Sequence, residues 1–137
     1  MIVVDSDILA YLHLPGVYTA QAASLLETDS EWVAPILWRS ELRNVLTGHM
    51  RRGGLGVEEA RRLQWEAEDL MSGAEYDVDS GSVLELAARS GCSAYDCEYV
   101  ALARQLALKL VTMDQEVLRA FPEVAIPLTG ASSLPPE

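Results

Sequence analysis

MIVVDSD, residues 1 to 7, opens the chain, and its reading decides the fold. Ile2, Val3 and Val4 make a short apolar run rich in β-branched side chains, the composition of a strand buried on both faces. Strands of that kind belong to parallel sheets covered by helices on either side. Asp5, Ser6 and Asp7 then supply N-cap chemistry for an apolar segment, Ile8 to Leu14, which Pro15-Gly16 terminates.

The same alternation continues outward. A second helix is expected from about Val17 to Glu27, with Ala20, Ala23, Leu25 and Leu26 turned inward, and Trp32 to Pro35 reads as the next strand. From Leu37 to Arg52 apolar residues recur near a 3.6 period until Gly53-Gly54, and Val57 to Met71 repeats the pattern with Glu58 and Glu59 in its first turn; the two helices form a hairpin. Tyr76 to Val78 is a weak strand, Ser80 to Ser90 a helix stopped by Gly91, and Asp96 to Leu108 a helix apolar enough to lie inside. Lys109 to Thr112 is a strand, Gln115 to Phe121 a short helix and Val124 to Ile126 a last strand. Strands alternating with helices imply an α/β fold, a three-layer α/β/α sandwich around a central parallel sheet. The chain has 137 residues, enough for one core. One domain is expected over residues 1–128, followed by a mobile tail, 129–137, that contains Pro135-Pro136 and no periodicity.

Half of the residues are hydrophobic and 23% are charged, a globular balance. No apolar run approaches the ~20 residues of a bilayer span, and the N-terminus has no basic leader, so a cytoplasmic protein is expected. Cys92 and Cys97 are too few for a zinc site or a disulfide framework and read as reduced helix residues. The net charge of -11 opposes nucleic-acid binding, which depends on attraction to phosphate. Six of the ten basic residues, however, lie between Arg39 and Arg62, a window with only three acids. Arg39, Arg43, Arg51 and Arg52 are candidate phosphate contacts there.

Parallel sheets gather functional groups at the carboxyl ends of their strands. Asp5 closes the first strand and Asp114 follows the Lys109 to Thr112 strand; Asp96 stands in the first turn of the inner helix and Glu41 in the first turns of the long one. Taken singly, each has a plain structural explanation, as a cap, a helix N-terminal acid or a surface ion-pair partner such as Glu41 with Arg43. Taken together they could face one crevice, where like charges raise one another's pKa unless a cation neutralises them. Mg²⁺ or Mn²⁺ suits such hard oxygen ligands and can align a water with a phosphodiester. Glu41 is the most telling, because Leu37, Asn44 and Val45 on its side of the helix form a mostly inward face. Trp32, Trp38, Trp65, Tyr95 and Tyr99 could stack on bases, yet their spacing favours packing in the core.

Four stretches, IVVDSDILAYL from Ile2, APILWRSELRNVL from Ala34, SAYDCEYVALA from Ser93 and LVTMD from Leu110, stand in the order and spacing of a known family. Over residues 1–128 the chain resembles the PIN-domain ribonucleases, in particular the VapC-type toxins of toxin-antitoxin modules. The resemblance implies Mg²⁺- or Mn²⁺-dependent endonucleolytic cleavage of RNA, a homodimer, and inhibition by an antitoxin that inserts a segment into the acidic groove. Carried over by motif, Asp5, Asp96 and Asp114 match metal ligands and Glu41 a ligand or water-mediated carboxylate. Ser6 and Thr112 match hydroxyl positions that orient the acids. Asp7 departs from the family, which usually places Asn there.

Three rival readings use the same residues. Asp5-Ser-Asp7 after a strand is the nucleophile pair of a haloacid dehalogenase-type phosphatase, but no later paired acids follow and Lys109 begins its strand. A phosphoryl-receiver domain would need an Asp at the end of the Trp32 to Pro35 strand, and none is there. A catalytically silent PIN-like binding module is opposed by retention of the acids.

Overall fold

The structure, a computed structural model, describes residues 1–131. In chain order its elements are β1 (Ile2–Val4), α1 (Ser6–His13), α2 (Thr19–Thr28), β2 (Trp32–Pro35), α3 (Trp38–Arg51), α4 (Val57–Leu70), β3 (Glu75–Tyr76), α5 (Ser80–Ser90), α6 (Ala94–Leu106), β4 (Leu110–Val111), α7 (Gln115–Ala120), β5 (Ala125–Ile126) and α8 (Leu128–Ala131). The strands form one all-parallel sheet in the order β3-β2-β1-β4-β5. Val3 is paired with Val33 on one side and Leu110 on the other, which makes β1 the central strand. Its three side chains are buried, as a strand covered on both faces requires.

The order fixes where a crevice must open. After β1 the chain steps to β2 and β3 on one side, then returns past β1 to β4 and β5 on the other. Right-handed crossovers therefore lay the helices of the two directions on opposite faces. In agreement, α1 packs against α2, α3 and α4, whereas α6 packs against α5 and lies across β1, β2 and β4. The loops leaving β1 and β4 diverge, and their separation is the switch-point crevice of open α/β sheets. Asp5 and Asp114 lie on those loops.

Several local expectations shift. On α2 it is Ala22 and Leu25 that are buried, while Ala20 is exposed. Cys92 lies in the loop between α5 and α6 instead of a helix, and both thiols are buried and free. Strand β3 is Glu75–Tyr76, paired to Ala34 and Pro35, because Glu75 is anchored by Arg39 and by the indole N–H of Trp38. Helix α6 ends two residues early, where Ala107 turns into the left-handed region with φ 56° and the Leu108 N–H closes on the Ala103 carbonyl. Helix α8 starts at Leu128, the last residue of the expected domain, which is buried, and takes in the first three residues of the expected tail; it packs on α2, and residues 132–137 lie outside the described part.

Candidate active site

Asp5 occupies the N-cap position of α1 with an extended backbone, yet its carboxylate caps nothing. The Thr112 hydroxyl donates to its Oδ2 at 2.7 Å and the Ser6 hydroxyl to its Oδ1 at 3.3 Å. Thr112 leaves β4 fully buried, and its Oγ1 also accepts the Asp114 N–H at 3.1 Å. One hydroxyl thus ties the loops of two neighbouring strands together. Burial pushes the Asp5 carboxyl from 3.8 to about 6, the Thr112 bond opposing and the Asp7 charge adding. The simple capping role is therefore not what the sequence uses Asp5 for.

Glu41 projects from α3 and accepts a 2.6 Å hydrogen bond from the Tyr99 hydroxyl, which reaches it from α6 on the opposite layer. Burial raises the Glu41 carboxyl, the Tyr99 bond lowers it, and the charge of Asp5 raises it further, with smaller effects from Ser6 and Asp96. Tyr99 is buried, and that burial, with the Glu41 and Asp5 charges, pushes its hydroxyl upward so that it stays a donor. Glu41 does not pair with Arg43. Its side of the helix is only partly turned inward: Trp38, Leu42 and Leu46 are buried, Leu37 and Val45 are half-buried against the core, and both line an open cleft with exposed Asn44.

Asp96 stands in the first turn of α6, where Ser93 caps its backbone N–H at 3.1 Å. Its carboxyl is raised by burial first, then by the charges of Asp114 and Asp5. Asp7 is raised by burial, then by Asp114 and Asp96. Asp114 turns Oδ1 to the Glu116 and Val117 N–H groups and caps α7. All four predicted acids, with Asp7, thus share one electrostatic neighbourhood at the carboxyl ends of β1 and β4.

Among the described residues no group of three or more His, Cys, Asp or Glu side chains is drawn in tightly enough to hold a metal ion directly. The donors nevertheless fit a hard divalent cation. They are carboxylates whose ionisation is made unfavourable by burial and by one another's charge, a cost that a divalent cation relieves, and Mg²⁺ keeps several of its waters, which span wider gaps than direct ligation.

Arg39, expected to touch phosphate, is engaged elsewhere: its Nε and Nη2 grip Glu75 at 2.5 and 2.7 Å, and its Nη1 meets Glu68 at 3.1 Å. Arg61 and Arg62 pair with acids on their own helix. Among the described residues Arg43, Arg51 and Arg52 are exposed and make no ion pair. The aromatics divide: Trp32, Trp38 and Tyr99 are core, whereas Trp65 and Tyr95 are exposed, against the core reading of their spacing. Sequence reasoning also missed that Tyr99 touches the site. The available signal was its position three residues after Asp96, on the same side of the helix, together with the need of a buried phenol for a partner.

The PIN domain family model matches residues 2–125. The chain belongs to the PIN-domain family. Ribonuclease VapC3 of Pyrobaculum aerophilum is 31% identical to this PIN-domain chain over 129 residues, 92% of this chain and 98% of that one. Two solved structures share the fold. PAE2754 from Pyrobaculum aerophilum superposes with a TM-score of 0.78 at 23% identity, over 96% of this chain and 85% of that one. FitAcB from Neisseria gonorrhoeae does so with a TM-score of 0.70 at 17% identity, over 94% and 99%. Family membership displaces the phosphatase and receiver readings of Asp5-Ser-Asp7.

Proposed function

We propose that this PIN-domain protein is an endoribonuclease, the toxin of a toxin-antitoxin pair, which hydrolyses RNA phosphodiesters with Mg²⁺ or Mn²⁺ at Asp5, Glu41, Asp96 and Asp114. The observation that carries the reading is the Asp5 carboxylate: buried and raised to about 6, it is held by Thr112 within range of the other acids instead of capping its helix. A buried carboxylate that caps nothing and has no cationic partner is costly unless a cation arrives. The relative's name, Ribonuclease VapC3, supplies the reaction class.

In this reading Asp5, Asp96 and Asp114 would hold the cation, and Glu41 would be a further ligand or a water-mediated carboxylate. A divalent cation held there would supply Lewis-acid activation of water and charge stabilisation to phosphodiester hydrolysis. Thr112 and Ser6 fix the Asp5 carboxylate, and Tyr99 fixes Glu41, so that the acids need not reorganise when substrate enters. Exposed Arg43, Arg51 and Arg52 offset the acidic surface by meeting backbone phosphate. The protein works in the cytoplasm as a homodimer, and an antitoxin closes the acidic groove. No helix among the described residues is long and apolar enough to cross a membrane.

The test is cleavage of a single-stranded RNA oligonucleotide with and without Mg²⁺. Wild type cuts only with the metal, and Asp96→Asn falls by about 100-fold or more, the loss expected when several kcal/mol of charge stabilisation disappear. Wild-type rates in the folded Asp96→Asn variant would overturn the assignment.

A further inference from the structure

Tyr95 immediately precedes Asp96, yet the residue is 63% exposed and its ring makes no hydrogen bond or ring contact with any described residue. An exposed aromatic ring offers a flat apolar surface with a π face to a ligand, and here that surface borders the candidate site. It lines a cleft of about 440 Å³ shared with Leu37, Val45, Ser40, Asn44 and the carboxylates of Asp7 and Glu41. A larger cavity of about 650 Å³ lies between α5 and α6, and none of the proposed catalytic acids lines it.

The chemistry of the cleft selects its occupant. The charged groups that line the cleft, Asp7 and Glu41, are both acids, so away from the proposed cation an uncharged group suits it better than a phosphate. Leu37, Val45 and the Tyr95 ring offer apolar surface for a flat, uncharged group. Exposed Asn44 and Ser40 offer donors and acceptors along α3 at the open side. An unpaired nucleobase has that combination of π face and polar edge, and single-stranded RNA presents it where a duplex does not.

We propose that this cleft is a base-binding subsite in which one unpaired nucleotide next to the scissile phosphate stacks on Tyr95 and is read at its edge by Asn44 and Ser40. The inference rests on the ribonuclease reading and narrows its substrate to RNA that is single-stranded at the cut. Because Tyr95 stands next to Asp96 in the chain, the stacked base fixes the register of the neighbouring phosphate over the acids.

The experiment measures binding of a short single-stranded RNA oligonucleotide in EDTA by fluorescence anisotropy, then steady-state cleavage with Mg²⁺, for wild type, Tyr95→Phe, Tyr95→Ala and Asn44→Ala. Tyr95→Ala should weaken binding by roughly 5- to 150-fold, the range for losing one base-aromatic stack. Tyr95→Phe should retain most of the affinity, since the ring and not the hydroxyl carries it. In cleavage the Tyr95→Ala loss should fall mainly on KM, and a duplex of the same sequence should compete poorly. Asn44→Ala should change the preference among oligonucleotides differing at one base. Equal affinity of wild type and Tyr95→Ala, in an enzyme that still cuts RNA, overturns the subsite alone. Failure of wild type to cut any RNA overturns the ribonuclease reading instead.

Discussion

Asp5→Asn should make the metal-free protein more stable while destroying its activity. The carboxyl is buried, and its proton affinity rises from the ordinary 3.8 to about 6 on folding. At about 1.4 kcal/mol per tenfold change in that affinity, ionised Asp5 costs the native state about 3 kcal/mol. Asparagine has the same shape and can still accept the Thr112 hydroxyl through its amide oxygen, so the core need not repack. It also removes the charge that raises Glu41 and Asp96. Some of the gain is lost where the amide meets Ser6, which leaves roughly 1.5–3 kcal/mol and a Tm higher by about 4–9 °C.

The sign of the pH dependence follows from the direction of the shift. Below 3.8 the carboxyl is protonated in both folded and unfolded chains and costs nothing; between 3.8 and about 6 only the folded chain keeps its proton, and stability falls as pH rises; above about 6 the full cost is present. The advantage of Asp5→Asn, measured by urea unfolding in EDTA, should therefore be largest near about pH 7.5 and shrink to about a third of that near about pH 4.5. Mg²⁺ should close the gap from the other side, since binding at about a hundred times Kd stabilises wild type by about 2.7 kcal/mol and the variant far less. A variant no more stable than wild type at neutral pH, or a gap that ignores pH, would refute the claim that burial of this charge governs Asp5.

Tyr99→Phe removes the 2.6 Å bond to Glu41 and little else, and should lower Mn²⁺ affinity, read by paramagnetic titration, together with RNA cleavage by about 10- to 100-fold; unchanged Mn²⁺ affinity would show that Glu41 does not serve the cation. Arg39→Gln breaks the grip on Glu75 and Glu68 at a partly exposed position and should cost about 1 kcal/mol in chemical denaturation. Its RNA affinity should match that of wild type, whereas Arg51→Gln should reduce the salt dependence of RNA binding by about 0.7 in log-log slope; a comparable drop for Arg39→Gln would return that residue to the RNA-binding face.

The fold was legible because β1 and the spacing of its successors obey local rules: β-branched runs too short for helices, proline and glycine where elements stop, and acids at strand exits. What escaped were outcomes decided between elements. Ala107 ends α6 without a glycine, so no residue type announced the stop. Strand β3 has two residues and an ion-paired glutamate, and its pairing follows from Arg39 and Trp38, far away in sequence. Tyr95 and Tyr99 lie four apart on one helix, one bare and the other buried against Glu41. Helical period assigned both to the core, and only the position of α3 separates them.

The acids also show how the chain keeps a destabilising feature in place. Among the described residues none of Asp5, Asp7, Glu41, Asp96 and Asp114 forms an ion pair, although Arg39 stands two residues from Glu41 and Arg43 two beyond it. Arg39 is turned to Glu75 and Glu68, and Arg43 faces solvent. The groups that do touch these carboxylates are hydroxyls, Thr112, Ser6 and Tyr99, and backbone N–H groups. Hydroxyls orient an acid without cancelling its charge, whereas an arginine in the crevice would neutralise it and exclude a cation. The negative field is therefore left for something that arrives from outside. In the proposed function a divalent ion would satisfy it during turnover and an inserted antitoxin segment would satisfy it at rest, so the two should compete. If that proposal holds, raising Mg²⁺ should raise the dissociation constant of the toxin-antitoxin complex, and a dissociation constant indifferent to Mg²⁺ would refute the competition.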